Sequence, residues 1–324
     1  MSISVVLEQM VIIMILITVG IFLFRKKMLS EDTSRQLSGL IVNITNPAVL
    51  ICSAFDDAPK ASLSELALGL GVVFISYIAL LAAAYLIPLL LRVPKPGRYS
   101  YRMLTVFGNV GFIGIPLVSA VLGTSALIFV SLNNLVYNIL VYTYGISTLR
   151  KASIEQRSTE ALSAGASGQE AAGSENIFHK LVNAGTVSAV LTIFFYLADF
   201  NVPTIISSSL SSAGRTTTFL SMLVLGVSVA QMAPKKIFSN RRLYVFTLIR
   251  QILLPIGLTL LLGIFVKNPL IVNSTALMLA VPAGNMPLML SKQLHVDESV
   301  ISQGIILTTI LSLATIPLVT LFIA

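Results

Sequence analysis

The chain has 324 residues, of which 56% are hydrophobic and 10% are charged, and its mean hydropathy is +0.92. Soluble domains carry about 25% charged residues, so this composition excludes an ordinary soluble protein and predicts an all-α membrane protein. The formal net charge of +8 does not indicate a nucleic-acid partner, because the positive side chains lie in short loops between apolar stretches.

Apolar stretches close to the roughly 20 residues that a helix needs to cross a bilayer recur along the chain. They predict ten transmembrane helices, with a turn at residues 123–124 dividing the uncharged stretch 103–149. The predicted spans 1 to 10 are residues 4–24, 34–55, 64–91, 99–122, 124–149, 177–198, 203–232, 242–266, 270–293 and 297–323.

The positive side chains predict the orientation of these spans. The 21 Lys and Arg residues lie in or beside the loops after spans 1, 3, 5, 7 and 9, except for Lys60, Arg215, Arg250 and Lys267. Because positive loops stay in the cytoplasm, both termini are predicted to be extracytoplasmic, in an integral protein of the cell (inner) membrane. Residues 150–176 are small and polar without an apolar period, which predicts a mobile cytoplasmic linker.

The linker divides the chain into two repeats of five spans, residues 1–149 and 177–324. An odd number of spans per repeat means that the second repeat is inverted relative to the first. Span 4 contains FGNVGFIGIPL and span 9 contains AVPAGNMPLML, so similar residues interrupt equivalent helices. Inverted repeats with equivalent interrupted helices are typical of secondary transporters, whose substrate sites lie near the middle of the membrane.

Glycine and proline at the interruptions predict broken helices. A break survives in a membrane only where protein or a watery cavity satisfies the freed backbone groups. Pro116 and Pro287 are predicted to open second half-helices, whose N-terminal N–H groups attract anions. The alternative is that these residues serve helix packing alone. The predicted helix-breaking residues are Gly108, Gly111, Gly114, Pro116, Pro282, Gly284 and Pro287.

Asparagine side chains are the predicted substrate ligands. Asn109 and Asn285 sit at the two interruptions, and their amides can donate hydrogen bonds to a carboxylate. Asn43 and Asn46 form a polar kink with Pro47 in span 2, for which a packing role is the alternative.

Two arginines lie inside predicted spans, where a charge is costly and indicates function. Arg215 lies in the Ser- and Thr-rich span 7 and is predicted to clamp a substrate carboxylate; the alternative is that it bonds carbonyls and fixes span 7. Arg250 is predicted to extend towards the cytoplasmic surface.

No Asp or Glu lies deep in a predicted span, and no metal-ligand or phosphate-loop spacing occurs. Hence no catalytic residue, metal or cofactor is expected, and the protein is not predicted to be an enzyme.

The order of these motifs resembles the auxin efflux carrier family, which includes plant auxin exporters and bacterial malate and malonate permeases. The NITNPAVL stretch of span 2 and the LGVSVAQ stretch of span 7 are similar to it as well, and the resemblance covers the chain apart from residues 150–176. It implies the fold of bile-acid sodium symporters. Spans 1, 2, 6 and 7 then form a scaffold, and spans 3, 4, 5, 8, 9 and 10 a mobile core in which spans 4 and 9 cross at their breaks.

The resemblance implies secondary transport of a small organic carboxylate, auxin-like or malate-like, by an elevator mechanism. A passive organic-anion channel on the same scaffold is the alternative, and a sensor or assembly subunit is a third reading. Coupling to protons or sodium stays open, and family members suggest a homodimer. Arg215 and Phe219 stand where the family often has an uncharged residue and a proline, which points to a dianionic substrate or a different coupling scheme.

Overall fold

The protein is all-helical in the part of the chain that the structure, a computed structural model, describes: residues 3–55, 60–164, 182–198, 202–231 and 238–323. The α-helices are α1 Ile3–Arg25, α2 Glu31–Leu40, α3 Asn46–Ser53, α4 Leu63–Leu90, α5 Lys95–Val106, α6 Ile115–Leu122, α7 Leu127–Leu140, α8 Ile146–Ala164, α9 Ala184–Ala198, α10 Thr204–Gln231, α11 Arg241–Leu248, α12 Leu254–Phe265, α13 Pro269–Ala280, α14 Met286–Gln293 and α15 Ser299–Ile323. A 3₁₀ turn covers Thr124–Ala126, and wide π-helical turns cover Ile41–Thr45, Val110–Gly114, Val141–Gly145 and Ile249–Leu253.

Within these residues, 7 helical stretches are long and apolar enough to cross a membrane. They are Ser4–Arg25, Glu31–Ser53, Leu63–Leu90, Thr124–Gln156, Thr204–Gln231, Arg241–Phe265 and Ser299–Phe322. The apolar helices Val110–Leu122, Ala184–Ala198 and Pro269–Ala280 are shorter. The apolar helices agree with the predicted membrane protein, and the division into ten spans stays a prediction.

The predicted linker is partly helical. Helix α8 continues to Ala164, so the prediction of a loop is wrong for residues 150–164. The physical reason is that Glu, Gln, Lys, Arg and Ala, which are frequent in KASIEQRSTEALSA, are all strong helix formers. The rest of the predicted linker, from residue 165, lies outside the described residues.

Three of the π-helical turns end two residues before a proline, at Pro47, Pro116 and Pro255. A proline in a helix lacks the N–H donor, and its ring collides with the carbonyl four residues earlier. A wider turn separates the ring from that carbonyl and lets the helix continue. In this way α2 runs into α3, and α11 runs into α12, with a local widening rather than a full break.

The helices of predicted spans 1, 2, 6 and 7 contact one another. Helix α1 lies along α10, and α3 packs against both α9 and α10, which joins predicted spans 1, 2, 6 and 7. Helix α4 packs against α5 and α7, while α13 packs against α12 and α15. The helices of these four spans also contact others, since α9 lies against α7 and α1 lies against α15.

Glycines allow the close packing of α1 on α10. A Cβ atom added to Gly226 would collide with the carbonyl oxygen of Ile17 and lie 2.8 Å from the Cα atom of Gly20. A Cβ atom added to Gly20 would lie 2.6 Å from the carbonyl oxygen of Leu223. The contact therefore joins backbone to backbone, as in other membrane helices that meet at small residues.

We expect Gly226→Ala to destabilise the protein by about 1–3 kcal/mol, because the added methyl group forces α1 and α10 apart. The temperature of thermal unfolding in detergent should fall accordingly. The matched control is Gly263→Ala in α12, where an added Cβ has no neighbour within 4 Å. If both variants unfold at the same temperature, the described packing of α1 on α10 is wrong.

Candidate functional site

The two predicted interruptions lie against each other. Helix α5 ends at Val106 and the next turn begins at Val110, while α13 ends at Ala280 and α14 begins at Met286. Residues 107–109 and 281–285 are called the interruption pair below. Within it the N–H group of Asn109 donates to the carbonyl of Pro282 (2.7 Å), and that of Gly284 donates to the carbonyl of Phe107 (2.9 Å). Each break thus satisfies backbone groups of the other, which is what a break inside a membrane requires.

A bond from the backbone to a side chain joins the interruption pair to the last helix. The N–H group of Ala283 donates to the hydroxyl of Thr308 in α15 (3.1 Å). That hydroxyl in turn donates to the carbonyl of Gly304 (2.7 Å). The carbonyl of Thr308 accepts a bond from the side chain of Gln251 (3.1 Å). Helix α15 therefore links the interruption pair to the turn that contains Gln251.

Glycine is needed where the two interruptions meet. A Cβ atom added to Gly284 would lie 2.6 Å from the carbonyl oxygen of Gly108. One added to Gly111 would lie 2.9 Å from the side-chain nitrogen of Asn46, and one added to Gly114 would lie 3.0 Å from the sulfur of Met278. The predicted glycines therefore allow close approach, both between the two interruptions and to the helices around them.

The second half-helix of predicted span 4 starts earlier than expected. It begins with the π-helical turn at Val110, and Asn109 caps it by accepting a bond from the N–H group of Phe112 (3.2 Å). Pro116 is the second residue of α6 and lies behind this turn, so the prediction that Pro116 opens the half-helix is wrong. The wide turn accommodates the proline and leaves the true N-terminus at the interruption. Pro287 is the second residue of α14, whose N-cap residue is Asn285.

A cavity of about 1130 Å³ extends to the interruption pair. Its deep wall includes the backbone of the pair at Gly108 and Gly284 together with the half-helix starts at Val110 and Met286. The structure brings four predicted ligands into this wall: Asn43, Asn46, Asn109 and Asn285.

These four asparagines differ in what they offer a ligand. Asn109 is only 2% exposed, its Oδ1 atom caps the half-helix, and its Nδ2 donor has no partner. The Oδ1 atom of the buried Asn46 also has no partner. Asn43 already donates to the carbonyl of Gly39 (2.8 Å). A buried polar atom without a partner costs about 1–3 kcal/mol, so the Nδ2 atom of Asn109 is a donor that would gain from an acceptor.

Arg215 does not lie in this cavity. The buried side of α10 is formed by Gly214, Thr217 and Ser221, which follow one another at helical spacing. Arg215 is exposed on another side, beside the exposed Thr216. The structure therefore does not bring Arg215 to the other predicted ligands.

Arg250 is buried rather than extended to the surface, so that prediction is wrong. It is 2% exposed and sits in the π-helical turn between α11 and α12. Its Nε atom donates to the carbonyl of Thr105 (2.6 Å), and its Nη1 atom donates to the carbonyl of Leu279 (2.6 Å). These carbonyls belong to the last turns of α5 and α13, so one guanidinium joins the ends of both first half-helices.

The charged residues in the cavity wall lie at its mouth. They are Glu31, Arg35, Lys292, Asp297 and Glu298. Lys292 and Glu298 are 3.7 Å apart and form an ion pair. These positions flank the loops after predicted spans 1 and 9, so the mouth lies on the side predicted to be cytoplasmic, and the described wall of the deep end is uncharged.

The family model described as membrane transport protein matches residues 5–320. The chain belongs to this family, the auxin efflux carrier family. No curated protein matches the chain. The suspected resemblance is thereby confirmed, and the protein is an integral membrane protein of a transporter family.

Sequence reasoning missed one wall of this transporter's cavity. Asn134, Tyr137 and Asn138 of α7 line it, although none was predicted as a ligand. Asn134 also donates to the carbonyl of Gly185 at the start of α9 (3.2 Å). The available signal was the segment LNNLVYNIL, because asparagines in an uncharged membrane stretch usually face protein or water. Ser228, Gln231, Ser302 and Gln303 were missed as well.

We expect Thr308→Val to destabilise this transporter by about 1–3 kcal/mol, because it leaves the buried N–H group of Ala283 without an acceptor. Thermal unfolding in detergent measures the loss. The matched control is Thr309→Val, since the buried hydroxyl of Thr309 bonds only to the carbonyl of Ile305 in its own helix. Equal losses in the two variants would contradict the described link between α15 and the interruption pair.

Proposed function

We propose that the protein is a secondary carrier of small organic carboxylates and that the carboxylate binds at the interruption pair. The observation that carries this proposal is the Nδ2 donor of Asn109, which is buried without a partner beside a large cavity. A carboxylate oxygen is the acceptor that such a donor lacks, and bonds to a charged acceptor are stronger than bonds between neutral groups.

Two helix N-termini support an anion at the same place. The turn that begins at Val110 and the helix that begins at Met286 both start at the interruption pair and line the cavity. The first N–H groups of a helix have no partner within the helix, and the N-terminus carries a partial positive charge. Asn285 makes no capping bond to α14, so in our proposal its amide is available to the ligand.

The wall of the cavity fits a small polar substrate with accompanying water. Asparagine supplies much of it, through Asn43, Asn46, Asn134, Asn138 and Asn183. Amide side chains bind an anion without a net charge, so the cost of removing the anion from water is offset by several moderate bonds. We propose Asn109 and Asn285 as direct ligands, with Asn43 and Asn46 around them, and omit Arg215 because of its placement.

An elevator mechanism is our proposal for the movement of the substrate. Ten spans in two inverted repeats would place predicted spans 1, 2, 6 and 7 in a scaffold, and the packing of α1, α3, α9 and α10 supports such a group. The reciprocal bonds of the interruption pair are the pattern that two inverted copies of one element would make. The remaining helices would then carry the site across the membrane as one body.

A carrier is favoured over a passive channel by the lining of the cavity. Its described wall runs from the interruption pair to Arg35 and Lys292 on the predicted cytoplasmic side. Lys60 and Lys267, on the predicted opposite side, are not part of that wall. A continuous pore would be lined from both sides, whereas a carrier is open to one side at a time.

We expect Asn109→Asp to weaken carboxylate binding about tenfold to a hundredfold. Aspartate keeps the oxygen that caps the half-helix but replaces the donor with a second, negatively charged acceptor, so capping and ligand binding are separated. Binding is measured by thermal shift with indole-3-acetate, L-malate and malonate, and transport by uptake of the same acids into proteoliposomes, with and without sodium and at several pH values.

The matched control is Asn240→Asp, which makes the same change at the N-cap of α11, where Asn240 accepts a bond from the N–H group of Arg242. It should leave binding unchanged. Full affinity in Asn109→Asp would disprove the assigned role of Asn109. Failure of every carboxylate to bind or cross would disprove the substrate class. Absence of trans-stimulated exchange would favour the channel.

A further inference from the structure

We propose that Arg250 makes the interruption pair selective for anions by neutralising the C-terminal ends of α5 and α13. This inference rests on the proposed binding of a carboxylate at the pair. It assigns to Arg250 a positioning and electrostatic role, without contact to the substrate.

Arg250 bridges the ends of two helices. Arg250 donates from two different nitrogens to two carbonyls, one at the end of α5 and one at the end of α13, both at 2.6 Å. These two helices come from opposite halves of the chain, and each points its C-terminus at the interruption pair. The planar guanidinium has several donors in a fixed fork, which suits it to bridging two acceptors, and it stays protonated at neutral pH.

The charges at the interruption pair decide the sign of the electrostatic potential there. A helix carries roughly half a positive charge at its N-terminus and roughly half a negative charge at its C-terminus. Two C-termini and two N-termini meet at the pair, so the helix ends alone sum to about zero. The single positive charge of Arg250 balances the two C-termini, which leaves the two N-termini to set the potential. With Arg250 the pair is positive, and without it the pair is close to neutral.

Only a thin layer separates this charge from the cavity. Gly108 lines the cavity, and a Cβ atom added to it would lie 3.4 Å from the Nη2 atom of Arg250. The Gly108 backbone, with no side chain, therefore lies between the guanidinium and the space for a ligand. Charges interact more strongly inside a protein than in water, so the guanidinium acts on a charged group that lies beside Gly108.

No carboxylate cancels the charge in the described part of the molecule. No ion pair of Arg250 occurs among those residues, and the acidic residues of the cavity wall are Glu31, Asp297 and Glu298 at the mouth. A buried arginine is usually paired with an acid. Here the helix ends are its partners, so its full charge contributes to the deep end of the cavity.

The test measures the potential directly and needs no knowledge of the substrate. Cys52, the sole cysteine of the sequence, is replaced by serine, and Met286→Cys places one thiol in the deep wall. The rates of its reaction with a negatively charged sulfonate and a positively charged trimethylammonium methanethiosulfonate are compared, relative to free cysteine. A neutral methanethiosulfonate reports accessibility.

We expect the ratio of sulfonate to trimethylammonium rates to fall about tenfold or more in Arg250→Gln and to be largely kept in Arg250→Lys, which retains the charge. The control Arg242→Gln removes a charge from the exposed start of the same helical stretch and should leave the ratio unchanged. An unchanged ratio in Arg250→Gln, with unchanged neutral reactivity, would overturn the inference. So would an equal fall in Arg250→Lys, because that indicates altered structure rather than altered charge.

A second measurement covers the case that Arg250→Gln does not fold. With Arg250 in place, the ratio at Met286→Cys should exceed the ratio at Gln231→Cys, which lies in the cavity wall at the exposed end of α10. A ratio at Met286→Cys that is no higher would overturn the inference. The proposed function fails separately: if Arg250 sets the ratio but no carboxylate is bound or transported, the electrostatic role stands and the carrier proposal falls.

Discussion

Backbone polarity is the constraint on which the rest of this structure depends. A helix that is interrupted inside a membrane exposes N–H and carbonyl groups for which lipid offers no partner, at a cost of several kcal/mol for each group. Two interruptions placed against each other remove much of this cost, since Asn109 and Gly284 donate to carbonyls of the opposite break. Each break therefore depends on the other for part of its backbone hydrogen bonding.

Satisfying those groups also creates the chemistry of the site. The backbone bonds hold four helix ends around one position, where two half-helices begin beside the cavity and two helices direct carbonyls towards Arg250. The side-chain nitrogen of Asn109 is a donor without a partner beside the cavity, and the described deep wall contains no charged side chain. In our proposal an anion binds here through dipoles, and bonds of moderate strength also permit its release.

The placement of Arg215 and Arg250 in the fold could not be read from their residue type and local sequence. Both lie in predicted spans, and the residue types alone favoured Arg215 as the functional one because its surroundings are rich in Ser and Thr. Packing separates the two, because Arg215 lies on an exposed side of α10 whereas Arg250 is buried between the two half-helix ends. Helical periodicity relates residues on one helix to each other, but it does not say which side meets a partner from another part of the chain.

The sequence by itself determined the membrane class, the approximate helices, the family and the two interruptions, because hydropathy and the positions of Gly and Pro act locally. It also identified Asn43, Asn46, Asn109 and Asn285, which the structure brings to one cavity. Tertiary structure alone decided which side of α7 faces the cavity and where Arg250 lies. These features depend on contacts between residues such as Thr105, Arg250 and Leu279, which are far apart in the chain, and no local pattern encodes how such segments meet.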